Sequence, residues 1–219
     1  PELILKGKKA GLLDRMFHTN GYLLTKDISK KVIENGLTKI NFSIDAFSNE
    51  TYNKIRIGGD LKKVKQNIFD FLEIRNKYNR TYPRVRVSFV VQPENKEEMS
   101  EFFDFWKKYA DVISFQELIE LKVPDNSRKV KIIDSDNSSV TPQICTQLWQ
   151  LLTIANNGDV LLCELDYNHE YVLGNLRKDT LLDCWNSELM KKARYYHKNG
   201  EYYKIPICKN CFKMRKNDL

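Results

Sequence analysis

"TKINFSIDA", residues 38–46, alternates strictly between Ile40, Phe42 and Ile44 on one side and Asn41, Ser43 and Asp45 on the other. A two-residue period of this kind is the pattern of a β-strand. Upstream, "TKDISKKVIENG" (25–36) reads as a helix with Thr25 as N-cap, Ile28, Val32 and Ile33 on one face, and Gly36 as its stop. Before it, "LDRMFHTNG" (13–21) reads as a strand ending at a turn. Downstream, the segment from Leu61 to about Tyr78 sets Val64, Ile68, Phe71 and Leu72 on one helical stripe, with Asp60 as its cap. The unit then repeats. "RVRVSFVVQ" (84–92) is a β-branched strand, and "DVISFQEL" (111–118) is a further one. Between them, "NKEEMSEFFDFWKKY" (95–109) is expected to open on a box-like pair, Asn95 and Glu98, and to bury Met99, Phe102, Phe103 and Trp106.

Strand and helix alternate at intervals of roughly 30 residues, the βαβ rhythm that makes the strands parallel and covers the sheet with helices. Four strands are visible, which suits either a fragment of a (β/α) barrel or an incomplete doubly wound sheet. A fully buried parallel strand is apolar on both faces. The polar side formed by Asn41, Ser43 and Asp45 therefore either lines a pocket or belongs to a solvated edge. In βα folds, ligands sit beyond the C-terminal ends of the strands. The residues expected there are His18-Thr19-Asn20-Gly21, Ser43 to Asp45, and Gln92 with Asn95.

The rhythm stops at "LKVPDNSRKVKIIDSDNSSVT" (121–141), whose Pro, Asp, Asn and Ser mark a linker. Beyond it, residues 142–219 are expected to form a small second domain. It opens with a hairpin in which Trp149 to Ala155 pairs with Val160 to Cys163 through Asn157-Gly158, the pair favoured in type I′ turns. A turn at "LGN" (173–175), a short helix near "TLLDCWN" (180–186) and a helix over "SELMKKARYYHKNG" (187–200) follow. So small a unit has little core and gains from a metal staple.

The chain has 219 residues, is 42% hydrophobic and 30% charged, and carries a formal charge of +7. These values describe a globular chain rather than a disordered one. Its lysines are scattered along helices and not clustered with stacking aromatics, so a solvated basic surface is expected and a nucleic-acid partner is not. No apolar run reaches the ~18 residues that would span a bilayer, and no signal-peptide pattern opens the chain, so neither membrane insertion nor export is expected and the expected compartment is the cytoplasm.

Five cysteines in a reducing compartment argue for metal or cluster binding rather than disulfides. Seventeen residues separate Cys145 from Cys163 across the Asn-Gly turn, and "CKNC" supplies Cys208 and Cys211 as a compact CxxC corner. Four thiolates suit tetrahedral zinc or an iron-sulfur cluster, and spacing alone does not separate the two. Cys184, beside Trp185, reads as a small buried apolar residue.

Together, "HTNGYLLT" (18–25), "INFSIDA" (40–46), "YNKIRIGGDLKKVKQNI" (52–68) and the pattern C-x12-G-x4-C … GN … W … C-x2-C resemble the radical S-adenosylmethionine (radical SAM) enzymes that carry a C-terminal SPASM or shorter twitch domain. The resemblance covers nearly the whole chain. It implies a partial TIM-like (β/α) barrel over residues 1–120, a linker over 121–141, and an iron-sulfur domain of hairpin and helix over 142–219. The barrel lip would bind SAM, whose reductive cleavage gives a 5′-deoxyadenosyl radical. Ser43 and Asp45 match the positions that contact the SAM ribose; Thr19 and Asn20 border the same pocket, and Arg56 is a candidate for the SAM carboxylate. Cys145, Cys163, Cys208 and Cys211 would ligate one auxiliary [4Fe–4S] cluster. Arg128, in "DNSRK", stands where a positioning or proton-accepting arginine would serve.

The family's CxxxCxxC loop, which holds the SAM-cleaving [4Fe–4S] cluster, has no counterpart, since no cysteine precedes Cys145. The expectation is truncation, with two βα units and that second cluster upstream, and a fragment unable to make the radical by itself. A full SPASM domain has further cysteines after its CxxC. With four in all, the twitch type and one fully ligated, electron-transferring cluster are expected. The expected activity is oxidation of a small polyol, sugar or amino sugar, supplied with electrons by a donor such as flavodoxin or ferredoxin. The alternatives are a peptide maturase and a non-catalytic zinc-stapled scaffold.

Overall fold

The computed structural model describes residues 1–78, 81–118, 121–122, 131–132, 144–209 and 211, with the backbone alone at 121–122 and 131–132. It divides into two compact units, Pro1–Leu118 and Ile119–Leu219. Among the described residues no helix is long and apolar enough to cross a membrane.

The first unit runs α1 (Glu2–Lys9), β1 (Met16–Thr19), α2 (Lys26–Glu34), β2 (Lys39–Ser43), α3 (Asn49–Ile55), α4 (Leu61–Lys77), β3 (Arg84–Val91), α5 (Met99–Trp106) and β4 (Val112–Glu117). The four strands are all parallel and lie side by side in sequence order. A doubly wound sheet reverses its strand order part-way and puts helices on both faces. Here the order never reverses, which is the winding of a barrel. The fold is α/β, a partial TIM-like barrel followed by a small antiparallel sheet.

The strands present Phe17, Ile40, Phe42, Val85, Val87, Phe89, Ile113 and Phe115 to the helical layer, where they meet Val32 and Ile33 of α2, Val64, Ile68 and Phe71 of α4, and Phe102 and Trp106 of α5. Phe89 meets Phe102 with ring centroids 4.7 Å apart. Each fully buried side chain of this size contributes about 1.5–3 kcal/mol.

Several expectations need correction. Phe103 is 46% exposed, because α5 turns Phe102 and Trp106 to the sheet while Phe105 packs on Phe47 and Phe69. The 3.6-residue period cannot say which flank of a short helix finds a neighbour. Helix α3, capped by Ser48, was not foreseen. Strand β2 ends at Ser43 rather than Asp45, which has φ of 62°.

In the second unit β5 (Leu121–Lys122) and β6 (Lys131–Ile132) pair antiparallel within the expected linker, and β7 (Thr153–Ile154), β8 (Asp159–Leu161) and β9 (Val172–Asn175) form a three-stranded antiparallel sheet. The expected hairpin strands are much shorter. Trp149 belongs to a 3-10 turn, Thr146–Trp149, and "LGN" is part of β9 rather than a turn. The 155–159 connection is not type I′, since Gly158 alone of its residues has positive φ. It bonds Ala155 N–H to Asp159 O and Gly158 N–H to Ala155 O, a three-residue loop with glycine at the left-handed position. Helices α6 (Leu181–Trp185), α7 (Glu188–Lys198) and α8 (Pro206–Lys209) complete the unit around Leu148, Val160, Leu162, Leu173, Cys184, Met190 and Ala193.

Candidate functional site

Alternation along the parallel strands sends polar residues to the face away from the helices. Strand register puts His18, Asn41 and Arg86 in one row and Ser43, Ser88 and Ser114 in the next. β2 and β3 are the central strands, so the polar side of "INFSID" is not a solvated edge. It belongs to the face that a barrel turns inward. The same alternation stands in "RVRVS", where it marks Arg86 and Ser88. On this face His18 Nδ1 lies 2.8 Å from Asn41 Nδ2. Asn41 Oδ1 and Ser114 Oγ are buried without a hydrogen-bond partner among the described residues, and buried polar atoms of that kind call for a ligand or water.

At the C-terminal ends of the strands the expected residues hold one another. Thr19 Oγ1 accepts the Gly21 N–H at 3.0 Å, and Asn20 Oδ1 accepts the Tyr22 N–H at 3.0 Å. Both side chains thus fold the turn. From α4, Asn67 Nδ2 donates to the Gly21 and Tyr22 carbonyls. Asp45 is 3% exposed; one carboxylate oxygen accepts from Arg56 and the other from the Val90 N–H at 2.8 Å. Ser43, half-buried at the end of β2, completes the group.

Asn95 and Glu98 do not cap their helix. Asn95 Nδ2 donates to the carbonyls of Asp45 (2.9 Å) and Val90 (2.8 Å), and its Oδ1 accepts the Gln92 N–H at 2.8 Å. Glu98 accepts from the Phe47 and Ser48 N–H groups and from Ser48 Oγ. A box-like spacing signalled a local cap; instead Glu98 and one of the Asn95 bonds reach residues some fifty positions away, while the other two Asn95 bonds go to Val90 and Gln92. Burial opposes charge on Glu98, but hydrogen bonds from Ser48, Thr51 and the two backbone amides outweigh it and hold its carboxyl below the usual range.

In the second unit Cys145, Cys163, Cys208 and Cys211 line one narrow cavity with Leu148, Leu162, Leu165, Ile207 and His197. No disulfide joins the five cysteines, and Cys184 is buried in the neighbouring core as expected. Cys145 opens the 3-10 turn, which Arg194 fixes by donating to the Leu148 and Trp185 carbonyls at 2.9 and 3.0 Å. Cys163 follows β8, in a loop held by Asp166, whose oxygens accept the Glu170 and Tyr171 N–H groups. The CxxC corner closes with Cys211 N–H donating to Cys208 O at 3.2 Å. Burial and the neighbouring sulfurs push Cys163 up to about 11 and raise Cys208 as well. Burial also lowers the pKa of His197, which sequence reading missed. Its signal was the buried stripe Met190, Ala193, His197 on α7.

Residues 145–212 match the SPASM family, an iron-sulfur cluster-binding domain. The chain is 27% identical over 122 residues to a probable GTP 3′,8-cyclase of Methanococcus maripaludis and 26% identical over 121 residues to a GTP 3′,8-cyclase of Clostridium botulinum. These matches take 56% and 55% of this chain and span 39% and 36% of those relatives. Native anSMEcpe with bound AdoMet superposes with a TM-score of 0.64 at 14% identity, over 100% of this chain and 72% of that one. The chain is thus similar to radical SAM enzymes, and its residues 145–212 to their SPASM domain.

The SPASM unit's donors fit such a cluster. Among the described residues four thiols and no carboxylate line the cavity, and four thiolates repel one another there until a cationic core compensates them. Among the described residues no group of three or more His, Cys, Asp or Glu is placed to hold a single metal ion; the four thiols line the cavity. Arg128 lies outside the described residues.

Proposed function

We propose that this chain is the barrel and auxiliary-cluster portion of a radical SAM oxidoreductase that oxidises a small polyol, sugar or amino sugar. When bound, SAM supplies a 5′-deoxyadenosyl radical for hydrogen abstraction and the cluster supplies an acceptor for the second electron. The observation that carries the reading is the lining of one cavity by Cys145, Cys163, Cys208 and Cys211. A second [4Fe–4S] cluster, on a segment upstream of these residues, would cleave SAM, and a reducing protein such as flavodoxin or ferredoxin would feed it.

On the barrel side, Ser43 stands at the strand end to meet the SAM ribose, within a turn shaped by Thr19 and Asn20. Asp45 already has two protein donors, so its part is to hold Arg56. Arg56 Nε is buried without a partner among the described residues, which suits a carboxylate of SAM. The unmet Asn41 Oδ1 and Ser114 Oγ on the polar face favour a hydroxyl-rich substrate. A peptide substrate is the second reading. It is favoured by the resemblance to native anSMEcpe with bound AdoMet and Kp18Cys peptide, at a TM-score of 0.59, 16% identity, 90% of this chain and 65% of that one.

Anaerobic reconstitution with iron and sulfide tests the carrying observation. A brown protein that absorbs near ~400 nm and holds about four irons supports it, whereas a colourless protein with one zinc leaves only a stapled scaffold.

A further inference from the structure

His197 is 2% exposed and lines the cysteine cavity. Its Nδ1 accepts the backbone N–H of Cys145 at 3.4 Å. A nitrogen that accepts carries no proton, so in the neutral ring the proton sits on Nε2. Nε2 has no hydrogen-bond partner among the described residues. An unpaired donor buried this deeply is costly, and the group it needs is an acceptor.

We propose that His197 donates its Nε2–H to the sulfur of the cluster held by Cys145, Cys163, Cys208 and Cys211 and thereby sets that cluster's reduction potential. The inference rests on the cluster reading above. The tautomer excludes the other obvious role, metal ligation through Nε2. A ligating Nε2 must be bare, which would move the proton to Nδ1 and leave two N–H groups, those of Nδ1 and Cys145, facing each other. Reduction adds negative charge to the cluster, and a donor to its sulfurs stabilises that state, so His197 raises the potential. It is a positioning residue for charge and touches no substrate.

The test is an EPR-monitored redox titration of the whole reconstituted chain. His197→Asn keeps an acceptor near the Cys145 N–H but places nothing at Nε2. His197→Gln restores an N–H donor near that point. The Asn variant should hold about four irons, as wild type does, with a midpoint more negative by ~59 mV, a tenfold change in the one-electron equilibrium. The Gln variant should recover much of that shift. An unchanged midpoint in the iron-replete Asn variant overturns the proposal.

Should the Asn variant lose its iron, pulsed EPR on the reduced wild-type chain carrying ¹⁵N-histidine decides. A weak coupling to one nitrogen supports the donor, whereas no coupling, or the strong coupling of a bound nitrogen, overturns it. A wild-type chain that takes up no iron and sulfide overturns the cluster reading itself and this role with it.

Discussion

Arg56 donates to the carboxylate of Asp45, a residue held at φ of 62° just past the end of β2. Asp tolerates the left-handed region better than most side chains. The position is fixed further by the Val90 N–H and by Asn95, which grips the Asp45 carbonyl. Backbone strain of this kind persists where the surroundings over-determine it, and it concentrates at functional sites.

Asp45→Ala removes both hydrogen bonds and leaves Arg56 partly buried without its partner. With the Arg56 side chain 35% exposed, water recovers part of the loss, and the expected cost is about 2 kcal/mol. Urea denaturation followed by far-UV circular dichroism measures it. A cost below ~0.5 kcal/mol would mean that the turn holds without the pair.

Glu98 gives the fold an acid limb. Its carboxyl is held below the usual glutamate value in the folded state, so its contribution is present above that value and is lost as pH falls through the lowered one. Glu98→Gln should cost about 1 kcal/mol at pH 7 and progressively less in acid. Melting temperatures of wild type and variant should therefore converge as pH falls through the carboxylate range. Parallel curves would assign the acid loss to other carboxylates.

The strand and helix alternation was legible because Ile40, Phe42 and Ile44, or Val64, Ile68 and Phe71, repeat at the period of their own element. Helix α3 was not, since "NETYNKI" buries only Thr51 and Tyr52 and carries no stripe. Strand β9 was not, because four residues that include Gly174 show no alternation. Asn95 and Glu98 were misread for a related reason. Their three-residue spacing obeys a local rule, while the Glu98 partners and the Asp45 carbonyl held by Asn95 come from a loop brought near by the tertiary fold. The four cysteines were legible as a set, but the imidazole beside them required the helical phase of α7.

Gly21→Ala tests the turn that Thr19 and Asn20 fold. Gly21 has φ of 76°, and a Cβ there would lie 3.3 Å from both Phe42 Cδ1 and Val64 Cγ1. The left-handed backbone alone costs about 1 kcal/mol with a side chain, and the crowding adds to it. A loss of about 1–2 kcal/mol in urea denaturation is expected. If Gly21 and Asn20 also border the SAM pocket, the variant should bind SAM more weakly than its loss of stability accounts for, as equilibrium dialysis would read.

Cysteine replacement separates ligands from packing. Cys145→Ser, Cys163→Ser, Cys208→Ser and Cys211→Ser each remove one soft donor from the cavity, and each should lower the iron bound after anaerobic reconstitution to well below the wild-type amount. Cys184→Ser should hold the full amount. That thiol lies in the core with Val160, Met190 and Ala193, and a hydroxyl there should cost about 1–3 kcal/mol without touching the cluster. Because this unit has few buried side chains of its own, metal binding and folding should be coupled. Chelation of the iron should therefore lower its melting temperature in wild type and Cys184→Ser alike, and should do little in the four ligand variants, which start without it. Equal iron in Cys184→Ser and Cys163→Ser would remove Cys163 from the ligand set.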